Sequence, residues 1–200
     1  NWRPAMNKRL TIYMTYNKNG IIDDYIVYML KQLVNVSSDI IVVSNKKLKQ
    51  REKEKIAFVS EYIERGNEKF DVGAYSQVIK ELYDKRQIYE YDELVLINDS
   101  VFGPFFDLND MFSAMDRRKG LDFWGITKRG RSDFDGGAGV YPEHIQSYFY
   151  AFRKSIISQD AFKESWQQVV AEISDFRREI LNDEFTLTEH FEKLGFKWDT

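Results

Sequence analysis

The alternation of two hydrophobic periods along the chain is the feature that most constrains its fold. Residues 10–16, 39–44 and 94–97 are short apolar runs, rich in β-branched side chains, that predict strands. Residues 22–33 and 74–85 instead place apolar side chains every three or four positions, which is the spacing of an amphipathic helix. Strands that alternate with helices predict an α/β fold, a three-layer αβα sandwich with a mostly parallel central sheet.

The last third of the chain alternates less regularly and predicts a mixed C-terminal extension of that sheet. Residues 121–127, 145–152 and 196–200 have strand-like composition. Residues 128–143 contain four glycines and no apolar period, which predicts a long loop able to close over a ligand. Since no repeat or linker divides the sequence, we expect residues 1–200 to form a single domain of a longer chain.

Composition argues against several classes of function. The net charge of −3 gives no electrostatic basis for general nucleic-acid binding. The absence of cysteine excludes disulfides and thiolate metal sites. No apolar run approaches the roughly 20 residues that span a bilayer, and no signal peptide opens the sequence. We therefore expect a cytoplasmic domain.

Polar side chains follow the predicted strands at the points where they end. Thr15 and Tyr16 end the first strand, and Asn98, Asp99 and Ser100 follow the most apolar one. Ligands of open α/β sheets bind outside the carboxyl ends of the strands. These oxygen ligands suit Mg²⁺ or Mn²⁺, and a single carboxylate can hold a cation that a diphosphate also binds. The alternative, that the Asn and Asp only cap a turn, stays open.

Three common motifs are missing from these strand ends. The sequence has no G-x-G-x-x-G after its first strand, no G-x-x-x-x-G-K-[ST] and no G-x-S-x-G. Hydride transfer, P-loop phosphoryl transfer and serine hydrolysis therefore lose support.

Several collinear segments resemble one bacterial protein family. They are LVLINDSVFGP at 94–104, DFWGIT at 122–127, HIQSYFYAF at 144–152, and further segments at 16–25, 65–75 and 184–195. Together they resemble the rhamnan synthesis protein F family, whose members belong to cell-wall and capsular polysaccharide assembly. One departure is Lys69, where the family often has glycine.

The resemblance implies a GT-A-like glycosyltransferase, in which Asn98-Asp99-Ser100 is a variant of the metal-binding Asp-x-Asp motif. It implies a nucleotide-sugar donor, dTDP-L-rhamnose, a divalent cation (Mg²⁺ or Mn²⁺) and a glycan acceptor. A lipid-linked acceptor would bring the protein to the inner face of the cell membrane by peripheral association, with further domains of the longer chain taking part.

The same resemblance implies roles for individual residues. Asp99 would bind the metal, and His144 would be a further metal ligand or touch the diphosphate. Glu184 would be the catalytic base, with Glu189 as a rival. The other implied donor-binding residues are Thr15, Tyr16, Arg65, Asn67, Asp71, Asn98 and Ser100. Each has a structural alternative: a strand end for Thr15, a salt bridge for Arg65, a helix N-cap for Asp71 and a surface position for Glu184.

Two other functions remain open from the sequence. A catalytically degenerate GT-A-like domain would bind glycan or a partner enzyme without chemistry, and the incomplete acidic motif favours it. A phosphatase or regulatory α/β domain is disfavoured, because Thr15-Tyr16-Asn17 stands where an acidic cluster would be needed.

Overall fold

The computed structural model describes residues 7–133, 140–172 and 185–200. The strands are β1 Arg9–Thr15, β2 Asp39–Ser44, β3 Glu61–Glu64, β4 Glu93–Asn98, β5 Phe123–Trp124, β6 Lys128–Arg129, β7 Ser132–Asp133, β8 Val140–Tyr141, β9 His144–Ile145, β10 Phe149–Arg153 and β11 Trp198–Asp199. The helices are α1 Asp24–Leu33, α2 Gln50–Lys55, α3 Phe70–Asp84, α4 Leu108–Arg117, α5 Lys154–Ile157, α6 Asp160–Glu172 and α7 Phe185–Lys193, with a 3₁₀ turn at Gln87–Glu90.

Seven of these strands form one sheet in the order β11-β5-β10-β4-β1-β2-β3. Strands β1 to β4 are mutually parallel, β10 runs antiparallel to both β4 and β5, and β11 is parallel to β5. Six strands therefore point the same way, and their carboxyl ends share one edge. The predicted α/β sheet, mostly parallel with a mixed C-terminal end, is confirmed.

Two apolar layers cover the sheet because successive strand residues face opposite sides. Leu94 and Leu96 of β4 face the layer formed by α3, α6 and α7, whereas Val95 and Ile97 face α1 and α4. Each of these four side chains is at most 2% exposed. A strand buried on both faces reads as a continuous apolar run, which explains why the sequence predicted β4 well.

One ion pair interrupts this apolar interior at the amino end of the sheet. Arg9 Nε donates to Glu93 Oε1 at 2.6 Å between β1 and β4, and both side chains are almost fully buried. Trp124 Nε1 donates to the other glutamate oxygen at 3.0 Å, and the Phe112 ring lies 3.9 Å below the guanidinium. A buried pair of this kind is strongly destabilising to break, because it leaves one charge without compensation.

Several predicted elements differ from the structure at the C-terminal end. The predicted strand 121–127 is regular only at Phe123–Trp124, and the predicted strand 145–152 divides into β9 and β10. The predicted loop 128–143 contains β6, β7 and β8, while residues 134–139 lie outside the described part of the chain. Two-residue strands have no detectable period, so an alternation rule cannot find them.

Candidate functional site

Asp99 lies immediately after β4, next to the end of β1. The β1–β4 register pairs Met14 with Asn98, so Thr15 and Asp99 are the next residues along the two strands. The Thr15 hydroxyl donates to Asp99 Oδ2 at 2.6 Å, and the backbone N–H of Tyr16 donates to the same oxygen at 3.0 Å. Parallel pairing thus brings Asp99 next to Thr15 and Tyr16, which precede it by more than eighty positions in the sequence.

A second carboxylate joins this edge from the start of α3. Asn98 Nδ2 donates to Asp71 Oδ2 at 2.8 Å, and Asn98 Oδ1 accepts hydrogen bonds from the backbone N–H and the hydroxyl of Ser100. Asn98 therefore links Asp71 to the turn that carries Asp99. The N-cap of α3 is Lys69 rather than Asp71, which lies in the first helical turn.

Burial and like charge perturb both carboxylates. Desolvation raises the pKa of Asp71 to about 6; the nearby negative charge of Asp99 adds to this increase, and the hydrogen bond from Asn98 opposes it. Burial also raises the pKa of Asp99, against the opposing effect of its bonds from Thr15 and Tyr16. Two coupled acids with raised pKa values at a strand edge are typical of functional sites.

Arg65 shapes the loop between β3 and α3 that presents Asp71. Its guanidinium donates to Asn45 Oδ1 at 2.8 Å, to the Glu68 carbonyl at 2.7 Å and to Gln77 Oε1 at 3.1 Å. Asn45 in turn donates to Asn67 Oδ1 at 2.9 Å. The implied donor-binding residues Arg65 and Asn67 therefore belong to one hydrogen-bonded network, and their contact with a donor stays a prediction.

The backbone of this loop is held in an uncommon conformation. Lys69 and Phe70 have φ values of 59° and 49°, in the left-handed region that non-glycine residues seldom occupy. A Cβ at Gly73 would meet the Glu68 carbonyl oxygen at 2.4 Å, so the loop packs directly on the first turn of α3. Departures of this type cluster at functional sites because the surrounding structure enforces them.

The loop between β1 and α1 forms the opposite wall of the site. The Tyr25 hydroxyl donates to the Asp99 carbonyl at 2.9 Å, and its ring lies 4.4 Å from the Phe102 ring. Glu52 fixes this loop from below, accepting from the Ile22 N–H at 3.1 Å and from Lys55 Nζ at 2.7 Å. Sequence reasoning assigned no role to Tyr25 or Glu52, because Glu52 stands among other charged residues and no pattern there indicates that it alone is buried.

The oxygen atoms at this edge provide some, but not all, of the ligands that a hard cation needs. Asp99, Ser100 and Asp71 supply carboxylate and hydroxyl oxygens, which Mg²⁺ and Mn²⁺ prefer. Across residues 7–133, 140–172 and 185–200, however, no three His, Asp or Glu side chains are grouped closely enough to hold a metal ion. The set therefore fits a cation whose remaining positions are filled by a diphosphate and water.

Catalytic or metal roles are also implied for His144 and Glu184. His144 is fully buried in β9, where its Nδ1 shares a 2.7 Å hydrogen bond with the Pro142 carbonyl. Glu184 lies outside the described residues. Glu189, the rival base, pairs with Lys193 at 3.0 Å on α7. The roles of His144 and Glu184 stay predictions.

An apolar cleft of about 240 Å³ opens beside Asp99. It is bounded by α1, the turn at Val101–Pro104 and the start of β10. Phe102, Phe105 and Phe106 are 70%, 83% and 88% exposed near it. In the described residues, no helix has the length and apolar character required to cross a membrane.

The sheet is mostly parallel, and its carboxyl edge carries several hydroxyls and two acids, Asp71 and Asp99, whose charges interact. These features define an α/β protein of the kind that binds ligands at that edge. Its particular family follows from the sequence: the model of rhamnan synthesis protein F matches residues 40–200. The chain belongs to the rhamnan synthesis protein F family, and the resemblance seen in its segments is confirmed.

The chain is also similar to individual proteins, in sequence and in fold. The chain is 29% identical over 204 residues to the uncharacterized protein y4gN of Sinorhizobium fredii, covering 97% of this chain and 48% of that protein. The chain thus spans about half the length of the curated relative it matches. Its fold is similar to the crystal structure of 4-diphosphocytidyl-2C-methyl-D-erythritol synthase, with a TM-score of 0.56 and 10% identity over 96% of this chain and 88% of that one.

A weaker structural likeness extends to a second enzyme. Glucosyl-3-phosphoglycerate synthase from Mycobacterium tuberculosis, in complex with Mn²⁺, uridine diphosphate and phosphoglyceric acid, gives a TM-score of 0.46 and 12% identity. That alignment covers 75% of this chain and 57% of the other chain.

Proposed function

We propose that this chain is a nucleotide-sugar-dependent glycosyltransferase that moves L-rhamnose from dTDP-L-rhamnose to a growing cell-wall or capsular polysaccharide. The observation that carries the proposal is the position of Asp99, half-buried at the shared carboxyl edge of β1 and β4 with Asp71 beside it. Membership of the rhamnan synthesis protein F family supports the substrate class.

Asp99 and Ser100 would bind a divalent cation together with the donor diphosphate. Such a cation supplies positive charge to the diphosphate as it leaves. Thr15 and the Tyr16 N–H both donate to Oδ2 of Asp99 and so hold its carboxylate in one orientation at the end of β4. Arg65 is the cationic side chain of the neighbouring loop, where it would stand near the phosphates.

Asp71 and Asn67 would accept hydrogen bonds from ribose or sugar hydroxyls. Asn67 belongs to the loop that Arg65 orders, Asp71 follows that loop in the first turn of α3, and Asn98 Nδ2 donates to the Asp71 carboxylate. Tyr16, with 46% of its surface exposed at the end of β1, would stack on the thymine ring. Glu184 would remove the proton from the acceptor hydroxyl, and His144 would bind the metal or the diphosphate.

The acceptor would be a glycan, carried on a lipid, that brings the protein to the inner face of the cell membrane. The exposed phenylalanines beside Asp99 support an apolar component near the site. The remaining half of a longer protein, of the size of the Sinorhizobium relative, would contribute further domains to this assembly.

Calorimetric titration with dTDP-L-rhamnose, in the presence and absence of Mn²⁺, tests the proposal. We expect binding that weakens at least tenfold without the cation, which corresponds to about 1.4 kcal/mol. UDP-glucose serves as the comparison donor and should bind more weakly. Equal binding of both donors would contradict the rhamnose assignment, and no nucleotide binding under either condition would contradict the transferase assignment.

A degenerate GT-A-like domain is the second candidate. One observation favours it: within the described residues the acidic groups do not form a complete metal cluster. Binding of a rhamnose oligosaccharide without any binding of dTDP-L-rhamnose would support this candidate over the enzyme.

A further inference from the structure

A cavity of about 570 Å³ lies along the outer strand β11, away from Asp99. Its volume falls within the range of small-ligand sites in proteins. The lining comes from the C-terminal end of α7, the segment that leads into β11, and the chain on either side of β5 and β9. The lining residues are Leu121, Lys128, Glu143, Glu192, Gly195, Phe196, Lys197, Trp198 and Asp199.

The chemistry of this cavity combines an aromatic face with balanced charges. Lys128 Nζ lies 5.8 Å above the half-buried Trp198 ring and 3.1 Å from Glu143 Oε1. Asp199 is bonded to Arg118 at the far end. Since the wall carries three acidic and two basic side chains, the cavity does not favour an anion such as a diphosphate. An uncharged ligand with one apolar face and many hydroxyls, that is, a saccharide, matches it best.

A continuous polar path leads from Asp99 to this cavity along the carboxyl edge of the sheet. The Asn98 N–H donates to the Tyr148 carbonyl at 3.3 Å, and the Tyr148 hydroxyl shares a 2.8 Å hydrogen bond with Thr127. Thr127 donates to Gln146 Oε1 at 2.7 Å and directly precedes Lys128. Hydroxyl and amide groups of this kind can exchange hydrogen bonds with sugar hydroxyls.

The sheet sets the length of this path. Strands β4, β10, β5 and β11 are consecutive neighbours, so β4 and β11 lie three strand spacings apart, or roughly 14 Å. That span suits a short oligosaccharide rather than one sugar ring. One saccharide chain could therefore place its reacting sugar at Asp99 and another of its sugars in the cavity.

We propose that the Trp198–Lys128 cavity is a distal acceptor subsite, which binds sugar residues of the growing glycan several units away from the hydroxyl that receives the new sugar. The inference rests on the proposed transferase function. The non-reducing end of the acceptor lies at Asp99, the chain follows Tyr148 and Thr127, and an earlier sugar ring stacks on Trp198. The site makes the protein select acceptors by length.

The test compares acceptor length in the full-length protein. The Michaelis constant for a rhamnose disaccharide is compared with that for a pentasaccharide, using dTDP-L-rhamnose as donor. We expect the pentasaccharide value to be about tenfold lower. Trp198→Leu and Lys128→Ala should each remove most of that advantage, while leaving the disaccharide and donor values unchanged. Lys128 is 42% exposed, so its substitution should fold even where the Trp198 variant does not.

The control is Lys154→Ala, which removes another exposed, ion-paired lysine at the opposite edge of the sheet. It should keep the length dependence. A Michaelis constant independent of length, or an equal effect of Lys128→Ala on both acceptors, would overturn the subsite. If no acceptor is glycosylated, the transferase proposal fails, and calorimetric titration of the pentasaccharide decides the subsite separately: binding lost in Lys128→Ala supports it, and no binding refutes it.

Discussion

Asp71 has a raised pKa that its neighbours in sequence do not indicate. Its carboxylate accepts from Asn98 and lies close enough to Asp99 for their charges to interact. The folded state therefore holds a buried acid whose pKa, about 6, is well above the 3.8 of an unperturbed aspartate. When this carboxyl is ionised it lowers the free energy of unfolding. An acid that destabilises the fold in this way is better explained by a role in function than by a role in structure.

We predict that Asp71→Asn stabilises the protein at pH 8 and abolishes donor binding. A carboxyl with a raised folded pKa favours the folded state when protonated, so its contribution declines as pH rises from about 4 to about 6 and is constant above. The asparagine keeps an oxygen for Asn98 and removes the charge. We expect a gain on the order of 1–2 kcal/mol at pH 8 and almost none at pH 4, measured by urea denaturation.

Asp110→Asn, which neutralises an exposed first-turn acid of α4, is the matched control and should show no such pH dependence. Destabilisation of the Asp71 variant at pH 8 would show that the carboxylate has no raised pKa in the folded protein.

Predictions for single residues succeeded where the interaction involves only residues close together in sequence. Asp107 is of a residue type that favours helix N-caps and directly precedes α4, and its side chain does accept from the Asn109 N–H at 2.8 Å. The N-cap alternative for Asp71 was wrong, because α3 begins four residues before the predicted start at Ala74. The left-handed backbone at Lys69 and Phe70 has no signature in those residue types, so the sequence could not indicate the helix start.

At the scale of secondary-structure elements, α2 holds the loop between β1 and α1 in place through one buried acid, Glu52. Glu52 accepts from Lys55, Arg51 and the Ile22 N–H, and these bonds lower its pKa to about 2. Lys55 also donates to the Ile22 carbonyl at 2.8 Å. One turn of α2 thus holds both polar groups of Ile22 and fixes the β1–α1 loop that borders Asp99.

We predict that Glu52→Gln destabilises the protein by about 2 kcal/mol at pH 7, because the neutral amide weakens the charge-assisted hydrogen bonds from Lys55, Arg51 and the Ile22 N–H to a fully buried side chain. Since the folded pKa is below the unfolded one, the wild-type contribution is complete above about pH 4.5 and is lost as the pH falls towards 2. The difference between variant and wild type in urea denaturation should shrink over that window.

Glu54→Gln changes an exposed acid of the same helix and should have almost no effect. A Glu52 variant as stable as the Glu54 variant would mean that Glu52 does not fix the loop.

Elements with two buried faces or a full amphipathic period were predictable, whereas those defined by pairing alone were not. The strands β1, β2 and β4 are apolar along almost their whole length, and α1 keeps the expected three-to-four spacing. The strands β6 to β9 have two residues each, and their identity depends on pairing with another equally short strand. Periodicity does not carry that information.

At the scale of the whole molecule, parallel pairing assembles the candidate site. Thr15 and Asp99 lie at the ends of two strands that the sheet order places side by side, and Asp71 comes from the first turn of α3. The sequence indicated that strand ends would be polar and that the sheet would be mostly parallel. It could not indicate that Asn98 bonds to Asp71, since that contact depends on the position of α3 above the sheet.

The most direct test of the account compares Asp99→Asn with wild type in calorimetric titrations of dTDP-L-rhamnose with Mn²⁺. Asparagine keeps an oxygen for Thr15 and Tyr16 but lacks the charge that a cation needs. Asp107→Asn, at an exposed helix cap nearby, is the control. The account predicts binding at least tenfold weaker and no longer dependent on Mn²⁺ in the Asp99 variant alone. Mn²⁺-dependent binding within twofold of wild type in that variant would contradict it.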